Sequence, residues 1–296
     1  MNTTPSEWHM ASEWTGHQGA VYDLAMAGDG RVWSVGGDGL LVRWTSNAKG
    51  GAEGEAMARA DQALFCLWAG TDEVTAGGAS GGLVHWTPEE TRILEGHEGG
   101  TLWLTADMSA GADGLWKRWR TGEVLAQVDG RIRCHVKAGG CDWLGTHHGH
   151  IHRHDGEVTL EAHDGSVRAL LAWPGKPAVA SAGNDGRLRL WSAEDATRWT
   201  PLLSVEAHRG AIYRMVASPD GTRVATASRD KSISIWDAAT LDLVARLKGG
   251  RSGHLRSVNA LVWADDHTLI TGGDDRRILV WRQGGEPPTG GVGGRS

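Results

Sequence analysis

Short apolar runs separated by turn signals recur along the chain, and residues 208–237 show the pattern most clearly. The strand-like runs of this stretch and its continuation lie at 212–217, 223–227, 232–236 and 241–247. Pro219 and Gly221 mark a tight turn between the first two runs, because proline fixes φ and glycine readily adopts positive φ. The third run alternates polar and apolar side chains with the period of two that is typical of a strand. The pattern predicts a meander of four antiparallel strands.

Polar residues at fixed places accompany these runs. In the same unit they are His208, Thr226 and Asp230, followed by the pair Trp236-Asp237. The connection into the first strand and the turn between the second and third strands lie at one end of a meander, so His208 and Asp230 are expected to hydrogen-bond. Thr226 and the Trp236 indole would extend this network and stiffen the sheet. The unit resembles a WD40 repeat.

Related units fill residues 6–282, and their strand-ending positions 44, 86, 119, 154, 191, 236 and 281 recur at about the forty-residue period of WD40 repeats, with shorter middle units. The complete sets elsewhere are His17, Ser34, Asp38, Trp44; His97, Ser109, Asp113, Trp119; His163, Ser181, Asp185, Trp191; and His254, Thr271, Asp275, Trp281. The second unit departs from the pattern at Ala60 and Ser80, in place of histidine and aspartate. The fourth departs at Val128 and His154, in place of histidine and tryptophan.

The resemblance implies an all-β fold, a seven-bladed β-propeller of four-stranded antiparallel blades. The segment from Trp8 to Trp14 resembles the fourth strand that precedes other histidines, whereas the run after Trp281 does not resemble a strand. The N-terminal segment is therefore expected to supply the outer strand of the last blade, which closes the ring and removes two open edges. The predicted domains are the propeller at 1–282 and a flexible Gly/Pro-rich tail at 283–296.

Composition is consistent with a repeat protein built from hairpins. Glycine accounts for 44 of the 296 residues, and there are 16 Trp but only two Tyr and one Phe. The formal charge of −6 argues against a surface dominated by nucleic-acid binding. The chain has three cysteines without CxxC spacing, no signal-peptide pattern and no long apolar run. These features predict a soluble cytoplasmic protein.

The most informative position lies five residues after each histidine position. It holds Tyr22, Phe65, Leu102, Arg133, Arg168, Tyr213 and Asn259, which include the one Phe and both Tyr. The resemblance implies that this offset points to the partner-binding face around the channel mouth, and aromatic residues and arginine are enriched in binding hot spots. The residue before each aspartate position is expected to join the same rim, and these residues include His147, Asn184, Arg229 and Asp274. We expect partner binding at these positions, including Arg229, with Arg133 and Arg168 exposed among the aromatic residues. The alternative is that the aromatic side chains only fill the channel.

A run of histidines in the fourth unit suggests another class of site. It consists of His148, His150, His152 and His154, with Cys134, His135 and Cys141 nearby in sequence. Alternate residues of a strand face one side, and imidazole is a common metal ligand. However, same-face Cβ atoms lie about 7 Å apart along a strand, so three of them would seldom hold one ion. A metal-binding protein is therefore an alternative, and no metal or cofactor is predicted.

The position before each strand-ending residue suggests a third class of site. It is apolar in the last three units but holds Arg43, His85, Arg118 and Arg153 in the first four. These side chains are expected either to pair with carboxylates or to lie exposed at the far rim. A groove that binds nucleic acid along the first four blades is the alternative.

Repetition argues against catalysis. Ser, His and Asp that recur in several units stabilise a repeat, whereas a catalytic triad occurs once. The Gly-Ala-Ser-Gly-Gly run at 78–82 matches the letters of a nucleophile elbow but lies between two predicted strands, with no helix to follow. The sequence predicts a non-enzymatic scaffold that presents a rigid face to a protein or peptide, with nucleic acid disfavoured and no membrane attachment. It leaves the partner and the oligomeric state open.

Overall fold

The structure is a computed structural model that describes residues 7–46, 51–195, 199–250 and 252–284. Within these ranges the chain forms strands and turns and contains no helix. The strands make seven separate antiparallel sheets of four strands each. The protein is therefore an all-β, seven-bladed propeller, as the sequence predicts.

The strands are numbered in chain order, and each blade is given from its innermost strand outward, after the N-terminal strand β1 (Trp8–Thr15). Blade one contains β2 (Val21–Met26), β3 (Val32–Gly36), β4 (Leu40–Ser46) and β5 (Ala52–Arg59). Blade two contains β6 (Leu64–Ala69), β7 (Val74–Gly78), β8 (Leu83–Trp86) and β9 (Thr91–Leu94). Blade three contains β10 (Thr101–Leu104), β11 (Met108–Gly111), β12 (Leu115–Arg118) and β13 (Val124–Gln127).

The second half of the ring follows the same order. Blade four contains β14 (Ile132–Ala138), β15 (Cys141–Thr146), β16 (His150–Arg153) and β17 (Thr159–Glu161). Blade five contains β18 (Val167–Ala172), β19 (Ala178–Gly183), β20 (Arg187–Ser192) and β21 (Thr200–Glu206). Blade six contains β22 (Ile212–Ala217), β23 (Arg223–Ser228), β24 (Ile233–Asp237) and β25 (Leu243–Leu247). Blade seven contains β26 (Val258–Asp265), β27 (Thr268–Gly273), β28 (Arg277–Gln283) and β1.

The last strand of blade six is shorter than the sequence predicts. Leu241 has a φ of 63° and donates its backbone N–H to the carbonyl of Asp237. This left-handed conformation belongs to the hairpin turn rather than to a strand. The apolar residue at 241 therefore extends the apparent run without extending β25.

The N-terminal strand closes the ring. β1 pairs antiparallel with β28, from Trp8 opposite Gln283 to Thr15 opposite Arg277. Glu13 makes two hydrogen bonds of 2.6 Å with the Arg277 guanidinium across this pair. The predicted outer strand of blade seven is thus confirmed. The predicted tail lies outside the described residues from 285 onward and stays a prediction.

The hydrophobic core is divided among the junctions between neighbouring blades. Met215 and Trp236 of blade six, for example, form one cluster with Ala180 and Leu188 of blade five. The junction of blades seven and one has its own cluster, in which Trp14 of β1 stacks on Trp44 at 5.6 Å between ring centroids. Each sheet therefore buries its two faces against its neighbours, which a single blade could not do.

Four of the five predicted polar networks are complete. In blade six, Nε2 of His208 lies 2.8 Å from the Thr226 hydroxyl, and the Trp236 indole donates to the same hydroxyl at 3.0 Å. Nδ1 of His208 faces Asp230 at 3.2 Å. Blades one, five and seven repeat the complete arrangement.

Blade three has a partial network, which corrects the prediction for Trp119. His97 bonds Asp113 and Ser109, both at 2.8 Å. The Trp119 indole, however, donates to the carbonyl of Thr105 at 3.1 Å. β12 ends at Arg118, so Trp119 lies in the following turn and its ring does not reach Ser109.

Blade two replaces its missing histidine with a glutamine. The Gln62 amide lies over Gly78, where a Cβ would meet it at 2.6 Å, in the way that His17 lies over Gly36 in blade one. Its carbonyl oxygen accepts the backbone N–H of Ser80. The turn is thereby held without histidine or aspartate.

Candidate functional site

The seven positions of the predicted partner face have a common backbone feature. In every blade the pairing of the innermost strand with its neighbour shifts by one residue at this position, for example between Val21 and Asp23 and between Ile212 and Arg214. Such a β-bulge places two residues of one strand opposite a single residue of its partner and redirects a side chain. The bulged residues are Tyr22, Phe65, Leu102, Arg133, Arg168, Tyr213 and Asn259.

These bulged residues converge on one cavity. It has a volume of about 430 Å³ and lies where the inner strands meet around the channel, and all seven side chains line it. We call this cavity, with its lining residues, the channel mouth. Each of the seven residues is half-buried. The sequence thus locates a set of side chains that are distant along the chain and adjacent in space.

Two details differ from the sequence-based prediction. Arg229 is exposed beside Gly210 and is not among the residues that line the channel mouth. Arg133 and Arg168 were expected to be exposed, but they are partly buried. Asp274, from the position before an aspartate, does line the cavity and accepts a hydrogen bond from Asn259 at 2.7 Å.

The lining is chemically divided around the ring. Blades one, two and three contribute Tyr22, Phe65 and Leu102, and the rings of Tyr22 and Phe65 meet edge to face at 5.5 Å. We call these three residues the apolar arc. Blades four and five contribute Arg133 and Arg168, which we call the cationic arc. An apolar surface therefore lies beside a positively charged one within the same cavity.

Sequence reasoning missed three lining residues, Asp23, Cys66 and Arg214. Each directly follows a bulged residue, and strict alternation would send it to the opposite face of the strand. The bulge turns both neighbours toward the channel instead. A sequence signal could have found two of them. Asp23 in blade one and Arg214 in blade six carry opposite charges at the same offset from the histidine position.

Asp23 and Arg214 link two blades that are not neighbours. Their side chains lie 3.3 Å apart, and Asp23 also accepts the backbone N–H groups of Leu24 and Leu67, each at 3.0 Å. Burial raises the pKa of the Asp23 carboxyl, and Arg214 and the two N–H groups only partly oppose this. The carboxylate is thus fully used within the protein and gives Arg214 a counter-charge.

Arg133 has no comparable partner. Burial, with Arg168 and Arg131 nearby, lowers the pKa of its guanidinium to about 10, so that the group remains charged at neutral pH. Its Nε is buried and, within the described part of the chain, has no hydrogen-bond acceptor. Arg168 donates to the Asn184 amide oxygen at 3.0 Å, and its guanidinium carbon lies 5.4 Å from the centre of the Tyr213 ring. Burial lowers the pKa of Arg168 as well.

Comparison with known proteins identifies the family. The model of the family described as WD domain, G-beta repeat matches residues 8–45, 157–192, 199–237 and 245–282, just over half of the chain. The chain belongs to the WD40 family. No curated protein matches its sequence.

Solved structures extend the match to nearly the whole WD40 propeller. This chain superposes on the crystal structure of the WD40 β-propeller domain of Doa1 with a TM-score of 0.80, and the superposition covers 93% of this chain and 97% of that chain. The two sequences are 18% identical, so this likeness shows the fold alone. The family model finds blades one, five, six and seven, which are the blades with complete polar networks.

The histidine run of this WD40 propeller does not converge on one point. The rings of His147 and His148 lie against each other in a hairpin turn, 3.7 Å apart, while His150 and His152 form a separate pair. His135 bonds Asp142 at 2.7 Å. Among the described residues, no group of three His, Cys, Asp or Glu side chains is placed to hold a metal ion.

The polar side chains before the strand ends pair with carboxylates. Arg43 bonds Glu55 at 2.5 Å, Arg118 pairs with Asp107 and Glu123, and Arg153 pairs with Asp155 and Glu157. His85 bonds Thr75 at 2.9 Å and lies 3.5 Å from Glu73. Of the two predicted alternatives, pairing with carboxylates is observed. These carboxylates offset the positive charge that a groove for nucleic acid would need.

Proposed function

We propose that this WD40 propeller is a non-enzymatic scaffold that binds a protein or peptide through the channel mouth. The observation that carries the proposal is the convergence of one bulged residue from every blade on a single cavity. Five of the bulged residues are aromatic or arginine, the types that dominate binding hot spots. A bulge maintained in seven blades presents these side chains from a rigid frame, which lowers the entropy lost on binding.

The family supports the coarser part of this proposal. WD40 propellers typically serve as scaffolds for protein interactions and are generally not enzymes. The His–Ser/Thr–Asp sets of this chain recur from blade to blade and connect to tryptophan, so they account for structure rather than catalysis.

The cytoplasmic location is part of the proposal. The three cysteines are free thiols, and Cys66 and Cys134 are buried as small apolar side chains. A protein of this kind needs no oxidising compartment for its stability. None of the described residues forms a helix long and apolar enough to cross a membrane.

A binding comparison tests the proposal. Immobilised wild-type protein is used to capture partners from native lysate, alongside the Tyr213→Ala Arg168→Ala double variant and the Arg43→Ala Arg118→Ala double variant. We expect captured proteins to be lost with the first variant and kept with the second. The Kd of each captured protein should rise with the first variant and stay unchanged with the second. Retention by the first and loss by the second would move the binding face to the far rim.

A further inference from the structure

Among the described residues, three arginines line the channel mouth, and one of them, Arg214, has a counter-charge. Arg214 pairs with Asp23, as described above. Arg133 and Arg168, from neighbouring blades, both line the cavity and form no ion pair with the described residues. Burial lowers the pKa of Arg133, and the charges of Arg168 and Arg131 lower it further. Two like charges therefore lie side by side in a partly desolvated cavity.

This arrangement is unfavourable unless something else is bound. Withdrawing a cation from water without a counter-charge is costly, and guanidinium cannot avoid the cost by losing its proton at neutral pH. Nearly all buried donors in folded proteins have an acceptor, so the unpartnered Nε–H of Arg133 requires an explanation. An oxyanion placed between the two guanidinium groups would supply both the missing acceptor and the missing charge.

We propose that Arg133 and Arg168 bind the oxyanion of an acidic peptide side chain, a carboxylate or a phosphate, while an adjacent apolar group of the same peptide packs on the apolar arc. This inference rests on the proposed function and names the chemistry of its partner. Tyr22 and Phe65 form the aromatic part of that arc, and their edge-to-face contact holds their rings in place. A bidentate guanidinium contact would fix the position of the acid, and the arc would select what stands beside it.

Nucleic acid fits this cavity less well than a peptide does. A phosphate backbone needs several cations in succession, whereas Arg43, Arg118 and Arg153 of blades one, three and four are already paired with carboxylates. Asp274 also lines the cavity, on the side of blade seven, and would repel an extended polyanion. A single acidic group beside an apolar one avoids that repulsion.

Small aromatic probes test the site without a known partner. Benzoate and phenyl phosphate combine an oxyanion with a ring, benzamide is the uncharged counterpart, and inorganic phosphate has no ring. The Nε–Hε NMR resonances of arginine report binding at each guanidinium. We expect benzoate or phenyl phosphate to shift the signals of Arg133 and Arg168 and leave that of Arg229, which lies outside the cavity, unchanged.

The comparison of probes identifies the source of the oxyanion. Tighter binding of phenyl phosphate assigns a phosphorylated residue, and tighter binding of benzoate assigns Asp or Glu. Benzamide binding as tight as benzoate, or no shift with either anion, would overturn the proposal. Inorganic phosphate that binds as tightly as phenyl phosphate would remove the role of the apolar arc and overturn the peptide assignment. So would a single-stranded oligonucleotide that binds through the same arginines more tightly than either aromatic anion.

Variants separate an oxyanion site from a structural role. Arg133→Gln and Arg168→Gln should each weaken binding of the better anion about tenfold or more, because each removes a charge-assisted hydrogen bond. Arg229→Gln removes the same charge from the same end of the ring and should leave the affinity unchanged. The melting temperature of Arg133→Gln should equal or exceed that of the wild type, because the change removes an unpaired charge. A large loss of melting temperature with unchanged anion affinity would assign Arg133 to the fold alone.

The outcome can be separated from that of the proposed function. A captured partner that is lost with Tyr213→Ala but retained in full by Arg133→Gln Arg168→Gln would leave the scaffold function intact and refute the oxyanion site. Anion binding that depends on both arginines, with partner capture unaffected by any channel-mouth variant, would support the oxyanion site and refute the proposed docking face.

Discussion

A single hydroxyl group connects the parts of each complete blade network. In blade six, the Thr226 hydroxyl accepts the Trp236 indole N–H and lies within hydrogen-bond distance of His208 Nε2. A carboxylate can only accept, so His208 Nδ1 carries the proton that faces Asp230. The network thus runs from a buried indole to a carboxylate at the turn, and the loss of the indole removes both its packing and its hydrogen bond.

Replacement of that tryptophan should be costly. Trp236 is buried in the junction of blades five and six, and we expect Trp236→Ala to lower the free energy of unfolding by about 3 kcal/mol or more. His154, which stands at the corresponding position of blade four, is half-buried with an unpartnered Nδ1, so His154→Ala should cost less. Urea denaturation of both variants measures the difference. Equal midpoints would contradict the role given to Trp236.

Tyr213 provides a residue-scale test of the channel mouth. If it is a hot spot, Tyr213→Ala should weaken partner binding by about 2 kcal/mol. The free energy of unfolding should fall by under about 0.5 kcal/mol, as at surface positions. Affinity and melting temperature are measured on the same preparations. Should both fall together, the aromatic side chains would be channel filling, the alternative already raised by the sequence.

The location of individual side chains could be predicted where the repeat provides a position from which to count. Tyr22 and Arg133 could be placed in one cavity because they share an offset from a recognisable position. Asp23 and Arg214 were missed because the bulge breaks the alternation on which strand faces are assigned. The role of Gln62 in the turn was missed. Its amide occupies the space above Gly78 that is open because glycine has no Cβ, and the sequence does not show which side chain fills that space.

At the scale of the blade, the fold tolerates loss of its signature residues when other contacts replace them. Blade four lacks the network histidine and tryptophan, yet His135 packs against both Trp103 and Trp116, at 4.8 and 4.2 Å between ring centroids, and bonds Asp142. Turns and strand alternation alone were enough to predict that this blade exists. Its contacts could not be predicted, because they join blade three to blade four and depend on their packing.

The polar networks should make the blades sensitive to acid. Burial lowers the pKa of His97 and His163, and their hydrogen bonds to Asp113 and Asp185 only partly oppose this. A histidine with a lowered folded pKa takes up its proton more readily in the unfolded chain, so its contribution to stability is present above about pH 6.5 and is lost as the pH falls toward the folded value. We expect the free energy of unfolding to decrease between pH 7.5 and pH 5.

The aspartates extend the same trend to lower pH. Burial acts to raise the pKa of Asp185, but hydrogen bonds from His163 and Arg189 outweigh it and hold the pKa well below the usual value. Its contribution is therefore lost only below about pH 4. Urea titrations across pH for the wild type, His163→Gln and the exposed His267→Gln check the assignment. A slope between pH 7.5 and 5 that is the same in His163→Gln as in the wild type would exclude His163 as a source.

At the scale of the whole molecule, stability depends on closing the ring. β1 completes blade seven and contributes Trp14 to the cluster between blades seven and one, and this strand comes from the opposite end of the described chain. The sequence could predict this closure, since the segment before His17 repeats the pattern of a fourth strand. The ion pair of Asp23 and Arg214 adds a contact across the channel between blades one and six. These two side chains can meet because the closed ring brings the first and the sixth blade around one channel.

Removal of the closing strand should open the propeller. Deletion of residues 1–14 takes away most of β1, including Trp8 against Trp263 and Trp14 against Trp44, and exposes the free edge of β28. An unpaired strand edge is a template for pairing with other chains, so we expect a lower melting temperature and aggregation. Size-exclusion chromatography and thermal unfolding measure both, with a deletion of residues 285–296 as the matched terminal control. The substitution Trp14→Ser, which keeps the strand but removes its stacking on Trp44, should lower the melting temperature while leaving the protein monomeric. If the 1–14 deletion remained monomeric with unchanged melting, closure by β1 would not contribute to stability, and the junction clusters would hold the ring without it.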